Sequence, residues 1–147
     1  MVVNLGKIST MTSQIIYKGE LRTEAQHLHS RTIIETDAPL DNQGKAERFS
    51  PTDLMATSLG NCMMTIMGIK ARDMQIDLTG TTIDITKIMK PEPRRVSGIG
   101  VVFHFPGHLI LDEKQRTILE RAAITCPVAK SIHPDIEQDV QFNWPAV

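Results

Sequence analysis

The stretch SPTDLMATSLGNCMMTIMGIKARDM, residues 50–74, predicts the longest helix of the chain. Ser50 is a favoured N-cap residue, and Pro51 suits the first helical position because its missing N–H needs no partner there. Apolar residues then recur at helical spacing. They are Leu54, Met55, Leu59, Cys62, Met63, Ile66 and Ile69, with Met64 and Met67 beside them. An apolar arc this wide is typical of a helix that is buried on more than one side.

Strands and shorter helices are predicted on both sides of this helix. Three strands precede it, at residues 13–18, 21–28 and 31–36, and a polar loop that contains Pro and Gly covers 37–49. Two strands follow it, at 81–89 and 96–105, separated by the loop KPEPRR. The chain then has a helix at 111–123 with Asp112 and Glu113 in its first turn, a short helix at 126–132 and a strand at 136–144. Strands grouped apart from helices indicate an α+β fold with a mainly antiparallel sheet.

Size and charge limit the classes of function. A chain of 147 residues predicts a single domain over 1–147. The net charge of −1 argues against nucleic acid and against a basic membrane-binding surface as partners. The N-terminal stretch MVVNLGKISTMTSQ has no apolar run typical of a signal peptide, and no segment approaches the roughly 20 apolar residues of a membrane helix. We therefore expect a cytoplasmic protein, in which cysteines are reduced or redox-active.

Cys62 and Cys126 are the two cysteines of the chain. On the apolar side of its helix, Cys62 is either a small buried apolar residue or a reactive thiol. Cys126 precedes Pro127 and is therefore expected near a helix N-cap, where the pKa of a thiol is lowered, unless it is there by accident. Their separation in sequence does not establish their distance in space. The histidine pairs His27/His29 and His104/His108 lack further ligands, so we expect neither a metal nor a cofactor.

Two motifs resemble those of a known family. The segments SPTDLMATSLGNC, residues 50–62, and CPVAKSI, residues 126–132, are similar to those of the osmotically inducible protein C and organic hydroperoxide resistance family (OsmC/Ohr). The resemblance covers nearly the whole chain, in element order and in cysteine spacing. It implies an OsmC-like α+β fold, with antiparallel sheets around a long central helix that carries a cysteine. It also implies an intertwined homodimer with its active sites at the interface.

The resemblance further implies a thiol peroxidase chemistry used in oxidative stress defence. Cys62 matches the peroxidatic cysteine, which an organic hydroperoxide oxidises to a sulfenic acid, and Cys126 matches the resolving thiol, which condenses with it to a disulfide. An external dithiol then restores both thiols by exchange. In the family this dithiol is often a lipoyl group on a protein.

A thiolate on an apolar helix face needs a nearby cation, because burial raises the pKa of a thiol. Family peroxidases use an Arg oriented by a Glu ten residues before the helix cysteine. Here that position is Thr52, and Asp53, one residue later, is either the partner of the Arg or, as we favour, a charge at the helix N-terminus. Arg22 is nearest to the family position in the N-terminal strands, and Arg48 lies in the loop before the helix, but neither aligns cleanly. We expect Arg22 in the catalytic site.

Two functions remain open from the sequence. One is thiol-dependent reduction of organic hydroperoxides through Cys62 and Cys126, which the presence of both cysteine motifs favours. The other is a non-peroxidase OsmC-like dimer that binds a hydrophobic small molecule at its interface, which Thr52 at the position of the family Glu favours.

Overall fold

The computed structural model describes residues 10–146 and consists of two compact units. The N-terminal unit ends at Pro51 and the C-terminal unit begins at Thr52. Residues 1–9, which carry most of the stretch used to argue against a signal peptide, lie outside the described residues. A single domain over 1–147 stays a prediction.

The N-terminal unit contains an antiparallel sheet in the order β1-β2-β3. Its strands are β1 (Ser13–Gly19), β2 (Arg22–His27) and β3 (Ile33–Asp37). The third strand begins two residues later than predicted because Arg31 has a left-handed backbone, with φ of 65°, that an extended strand does not accept. A 3-10 turn, Leu40–Asn42, forms within the predicted loop.

Five large apolar side chains of this sheet are about half exposed or more. They are Ile15, Ile16, Tyr17, Ile33 and Ile34, with exposed fractions from 48% to 64%. Successive strand residues point to opposite faces of a sheet, so both faces carry uncovered apolar surface. Exposed apolar surface on this scale marks a candidate surface for interaction with another protein.

The C-terminal unit contains the long helix and a second sheet. Its elements are α1 (Pro51–Asp73, whose first residue belongs to the N-terminal unit), β4 (Thr82–Pro91), β5 (Arg94–His104), α2 (Glu113–Ile124), α3 (Pro127–Ser131) and β6 (Glu137–Asn143). The sheet has the order β4-β5-β6, with β4 antiparallel and β6 parallel to the central strand β5. Residues 10–146 thus hold two three-stranded sheets and three α-helices, which confirms the α+β class.

One side of α1 packs into the core of this unit. Its buried residues are Ala56, Leu59, Gly60, Met63, Met67 and Ala71, and the β5 side chains Ile99, Val101 and Phe103 belong to the same core. The prediction that Ile69 shares the buried face is wrong, because this side chain is 46% exposed. At 3.6 residues per turn, Ile69 lies about 120° around the helix from Met63, outside the buried arc.

Two local predictions need correction. The segment KPEPRR is not a loop throughout: β4 continues to Pro91, β5 starts at Arg94, and a two-residue turn separates them. Proline is tolerated there because β4 is an edge strand. Asp112 is the N-cap of α2 rather than part of its first turn, and it forms a capping box with Gln115.

None of the helices in residues 10–146 has the length and apolar character that spanning a membrane requires.

Candidate functional site

The C-terminal unit brings the two cysteines together. Cys62 comes from α1 and is half-buried, whereas Cys126 lies at the start of α3 and is fully buried. Both are free thiols, and the Cys62 side chain is close enough to the Cys126 thiol to raise its pKa. The tertiary structure therefore answers the question of distance that the sequence left open, because it brings together two thiols that are far apart in the chain.

The burial of α1 determines how Cys62 is presented. Met63, the next residue, has no exposed surface and marks the middle of the side that packs into the core. A rotation of about 100° per residue therefore places Cys62 at the margin of that side. Met55 and Ile66, seven residues before and four after Cys62, are half-buried on the same margin. Cys62 thus packs against the core while part of its surface stays accessible to solvent, and its neighbours on this margin are apolar.

Cys126 is the N-cap residue of α3, as its position before Pro127 predicts. Its backbone is extended, with φ of −66° and ψ of 154°, and Pro127 occupies the first helical turn. The Ala129 N–H donates to the Cys126 Sγ at 3.4 Å. The sulfur therefore takes the capping role that a serine or aspartate oxygen usually has.

Burial, rather than the helix N-terminus, dominates the ionisation of Cys126. Desolvation raises the pKa of the Cys126 thiol, the Ala129 N–H opposes this shift, and the Cys62 neighbour adds to it. The expectation that the helix N-terminus lowers this pKa is therefore wrong in its net direction. A helix of five residues carries only a small dipole, which does not offset the loss of water around a buried sulfur. At neutral pH Cys126 is a protonated thiol.

Lys87 of β4, whose side chain contacts the start of α1, is a residue that the sequence analysis missed. Its Nζ donates to the Thr52 Oγ1 at 3.0 Å and to the Asp53 Oδ1 at 2.6 Å. The Lys87 side chain is only 18% exposed. The alternation of β4 could have indicated this residue. Lys87 lies on the same face of the strand as the inward-facing Ile83 and Ile85, since side chains two residues apart share a face. Asp53 thus forms an ion pair with a lysine of the sheet.

The two candidate arginines lie in the N-terminal unit. Arg22, at the first position of β2, donates from Nε and Nη2 to the two carboxylate oxygens of Asp37 at 2.7 and 2.8 Å. Its Nη2 also donates to Glu47 at 2.6 Å. These contacts raise the pKa of Arg22 above its usual value and lower the pKa of the Asp37 carboxyl. Arg48 donates to Glu35 at 2.7 Å.

The histidines do not assemble a metal site within residues 10–146. No group of three or more His, Cys, Asp or Glu side chains in that range is arranged to hold a metal ion. His27 pairs with Ser30 at 2.7 Å, and His104 pairs with Asp84 at 2.8 Å. Each contact is exposed.

Comparison with known families identifies the class of protein. The sequence pattern of the family described as OsmC-like protein matches residues 44–141, which include α1, both cysteines and most of the second sheet. The chain belongs to the OsmC-like family. No curated protein sequence matches it.

Solved structures agree with this assignment. A protein of Psychrobacter arcticus 273-4, provisionally named an osmotic stress induced and detoxification response protein, is 55% identical, with a TM-score of 0.89 over 95% of this chain and 100% of its own. The organic hydroperoxide resistance protein OsmC of Legionella pneumophila is 15% identical, with a TM-score of 0.69 over 94% and 99% of the two chains. The organic hydroperoxide resistance protein OhrB of Bacillus subtilis is 15% identical, with a TM-score of 0.60 over 90% and 98%. The two distant structures show that the fold is shared.

The contact of Lys87 with the start of α1 leads to a testable expectation. Lys87→Met should lower the free energy of unfolding by about 1–2 kcal/mol, because it leaves the partly buried Asp53 carboxylate without this donor. Denaturant unfolding measures the change. Lys90→Met, an exposed position on the same strand, is the matched control and should change stability little. Equal losses in the two variants would contradict a specific role for the Lys87 contact.

Proposed function

We propose that this protein reduces organic hydroperoxides with a pair of thiols, as part of a defence against peroxide stress. The observation that carries the proposal is the contact between a half-exposed Cys62 and a buried Cys126. The names of the distant structural relatives, organic hydroperoxide resistance proteins, support a peroxide-related stress function. The chemistry of the pair supports the finer assignment.

In the first step, the Cys62 thiolate attacks the terminal oxygen of the hydroperoxide. The O–O bond breaks, the alkoxide leaves and takes up a proton, and Cys62 becomes a sulfenic acid. The exposure of the two sulfurs supports this order, since the peroxide must reach the sulfur that it oxidises and Cys126 is fully buried. The raised pKa of Cys126 also disfavours it as the first nucleophile.

In the second step, the Cys126 sulfur attacks the Cys62 sulfenic sulfur. A disulfide forms, and the hydroxyl of the sulfenic acid leaves as water with the Cys126 proton. An external dithiol, in our proposal one such as a lipoyl group on a protein, then reduces the disulfide by two exchange steps and is itself oxidised to a cyclic disulfide. The cycle requires no metal or organic cofactor.

For the cation that the Cys62 thiolate requires, we propose Arg22. A bidentate contact to the buried Asp37 holds its guanidinium in a fixed orientation, while Glu47 binds the same Nη2. Arg48 is more exposed, at 45% against 26% for Arg22, and a single contact to a carboxylate holds it. A fixed guanidinium stabilises a thiolate and a peroxide oxygen at a smaller loss of side-chain entropy than a mobile one.

We propose that the working protein is a homodimer. The apolar side chains of the N-terminal sheet, exposed in a single chain, support this proposal because a second copy would remove them from water. They are the residues Ile15, Ile16, Tyr17, Ile33 and Ile34.

The division of labour between the cysteines can be tested with one equivalent of cumene hydroperoxide. Wild type should lose the mass of two hydrogens as its disulfide forms. Cys62→Ser should consume no peroxide, because serine forms no sulfenic acid. Cys126→Ser should consume one equivalent, gain one oxygen, and fail to cycle with a dithiol. Thiol counts and intact mass measure these outcomes.

Two results would change the assignment. If Cys62→Ser consumes peroxide as fast as wild type, Cys62 is not the peroxidatic residue. If wild type is inert towards hydroperoxides, the second candidate function replaces the first: binding of a hydrophobic small molecule at the dimer interface. The observation that favours this second candidate is Thr52, held by Lys87, at the position where the family peroxidases have a Glu.

The role of Arg22 predicts a difference between two arginine variants. Arg22→Met should slow peroxide consumption by about tenfold or more, because the thiolate loses its cation. Arg48→Met is the matched control and should have a much smaller effect. Single-turnover kinetics over a range of pH measure both. Unchanged rates in both variants would show that neither arginine activates Cys62.

The proposed dimer predicts a particle of twice the 16.4 kDa of one chain in light scattering at micromolar concentration. Ile34→Lys should weaken the dimer, because it places a charge on the exposed apolar sheet. Ile124→Lys is the control, since Ile124 has nearly the same exposure but lies in α2, at 49% against 48%. A wild-type monomer at this concentration would disprove the proposal.

A further inference from the structure

Gln138 is a polar residue on a strip of β6 that is otherwise apolar. The strand alternates, with Glu137, Asp139 and Gln141 exposed, and with Gln138, Val140 and Phe142 half-buried on the opposite face. Val140 and Phe142 pack against the core. The Gln138 Nε2 donates to the backbone oxygen of Ala129 in α3 at 3.0 Å. The amide at this position therefore connects the sheet to the short helix.

Ala129 links Gln138 to the resolving cysteine. Its carbonyl accepts from Gln138, and its N–H donates to the Cys126 Sγ at 3.4 Å. A helix of five residues is too short to be stable alone, so its position depends on caps and tertiary contacts. The position of Gln138 itself is fixed by the sheet, because Gln138 pairs with the buried Ile99 in the parallel pairing of β6 with β5.

We propose that Gln138 is a positioning residue that holds α3, and with it the Cys126 sulfur, in place against Cys62. The inference rests on the proposed function and adds to it the residue that governs the second step. In that step the S–O bond of the Cys62 sulfenic acid breaks, the S–S bond to Cys126 forms, and water leaves. When Cys62 attacks the peroxide, no bond to Cys126 forms or breaks. Gln138 should therefore affect disulfide formation and leave the rate of the first step close to that of wild type.

The magnitude follows from the geometry of a disulfide. Its Cβ atoms lie within about 3.5–4.5 Å of each other, so a small displacement of α3 takes the pair out of range. A misplacement of about 1 Å costs up to about a hundredfold in an intramolecular reaction. Loss of one of the contacts that hold α3 should therefore reduce disulfide formation by about tenfold.

The experiment compares three variants of the full chain. Gln138→Met removes the donor with little change in shape, and Gln138→Lys restores a donor that can reach the Ala129 oxygen. Gln141→Met makes the same change at an exposed position of the same strand, where the amide contacts Asp139. Each protein is equilibrated with mixtures of reduced and oxidised dithiothreitol, and intact mass gives the fraction with the Cys62–Cys126 disulfide. This measurement uses no peroxide.

We expect the equilibrium constant for the disulfide to fall about tenfold in Gln138→Met, to stay at the wild-type value in Gln141→Met, and to recover most of the loss in Gln138→Lys. If Gln138→Met matches wild type, or if Gln138→Lys matches Gln138→Met, the positioning role is disproved.

A second readout uses the ionisation of Cys126 in a Cys62→Ser background. Gln138→Met should raise the pKa of Cys126 further, because the Ala129 N–H no longer holds the sulfur firmly. Ultraviolet absorbance of the thiolate against pH measures it. A residue that merely stabilised β6 would leave this pKa unchanged, and an unchanged value overturns the proposal.

Peroxide then separates this inference from the proposed function. With one equivalent of cumene hydroperoxide, Gln138→Met should lose its Cys62 thiol at the wild-type rate, while a 1,3-dione probe captures more sulfenic acid than in wild type. Slower oxidation of Cys62 in this variant would contradict the claim that Gln138 acts on disulfide formation and not on the oxidation of Cys62. If wild type ignores peroxide but the dithiothreitol equilibrium shifts as expected, the proposed function fails and the positioning role of Gln138 stands.

Discussion

The proposed chemistry depends on where the buried side of α1 ends. Leu59, Met63 and Met67 are completely buried, and they fix the rotation of the helix against its sheet. Cys62 lies at the edge of that side, where a sulfur can contact the core and still be reached. A rotation by one residue would either bury this thiol completely or turn it towards solvent, away from Cys126. The packing of large apolar side chains thus sets the exposure of the Cys62 thiol, which lies beside that packed core.

The second thiol is governed by a different balance. Cys126 combines a capping hydrogen bond from Ala129, which favours the thiolate, with complete burial, which disfavours it more strongly. The two sulfurs consequently differ in exposure although they are in contact. That asymmetry supports the sequential reaction that we propose, in which the accessible sulfur meets the peroxide and the buried one forms the disulfide.

The charged residues show how this chain departs from the family motif. At the position of the family Glu it has Thr52, and a half-buried Lys87 from the sheet binds both Thr52 and Asp53. Arg22 donates hydrogen bonds to two carboxylates of its own unit, those of Asp37 and Glu47. Contacts to two carboxylates hold this guanidinium in one orientation.

The sequence by itself determined the order of nearly all elements, the α+β class and the capping position of Cys126, because periodicity, Pro127 and cap preferences act over a few neighbouring residues. The prediction from sequence was wrong where contacts between distant residues determine the structure. The strands extend almost through KPEPRR, because β4 is an edge strand and tolerates Pro91. Only the tertiary structure decided that the two cysteines meet, that burial outweighs the helix end at Cys126, and that Lys87 reaches α1. Contact, desolvation and cross-element pairing depend on residues distant in the chain, and no local pattern encodes them.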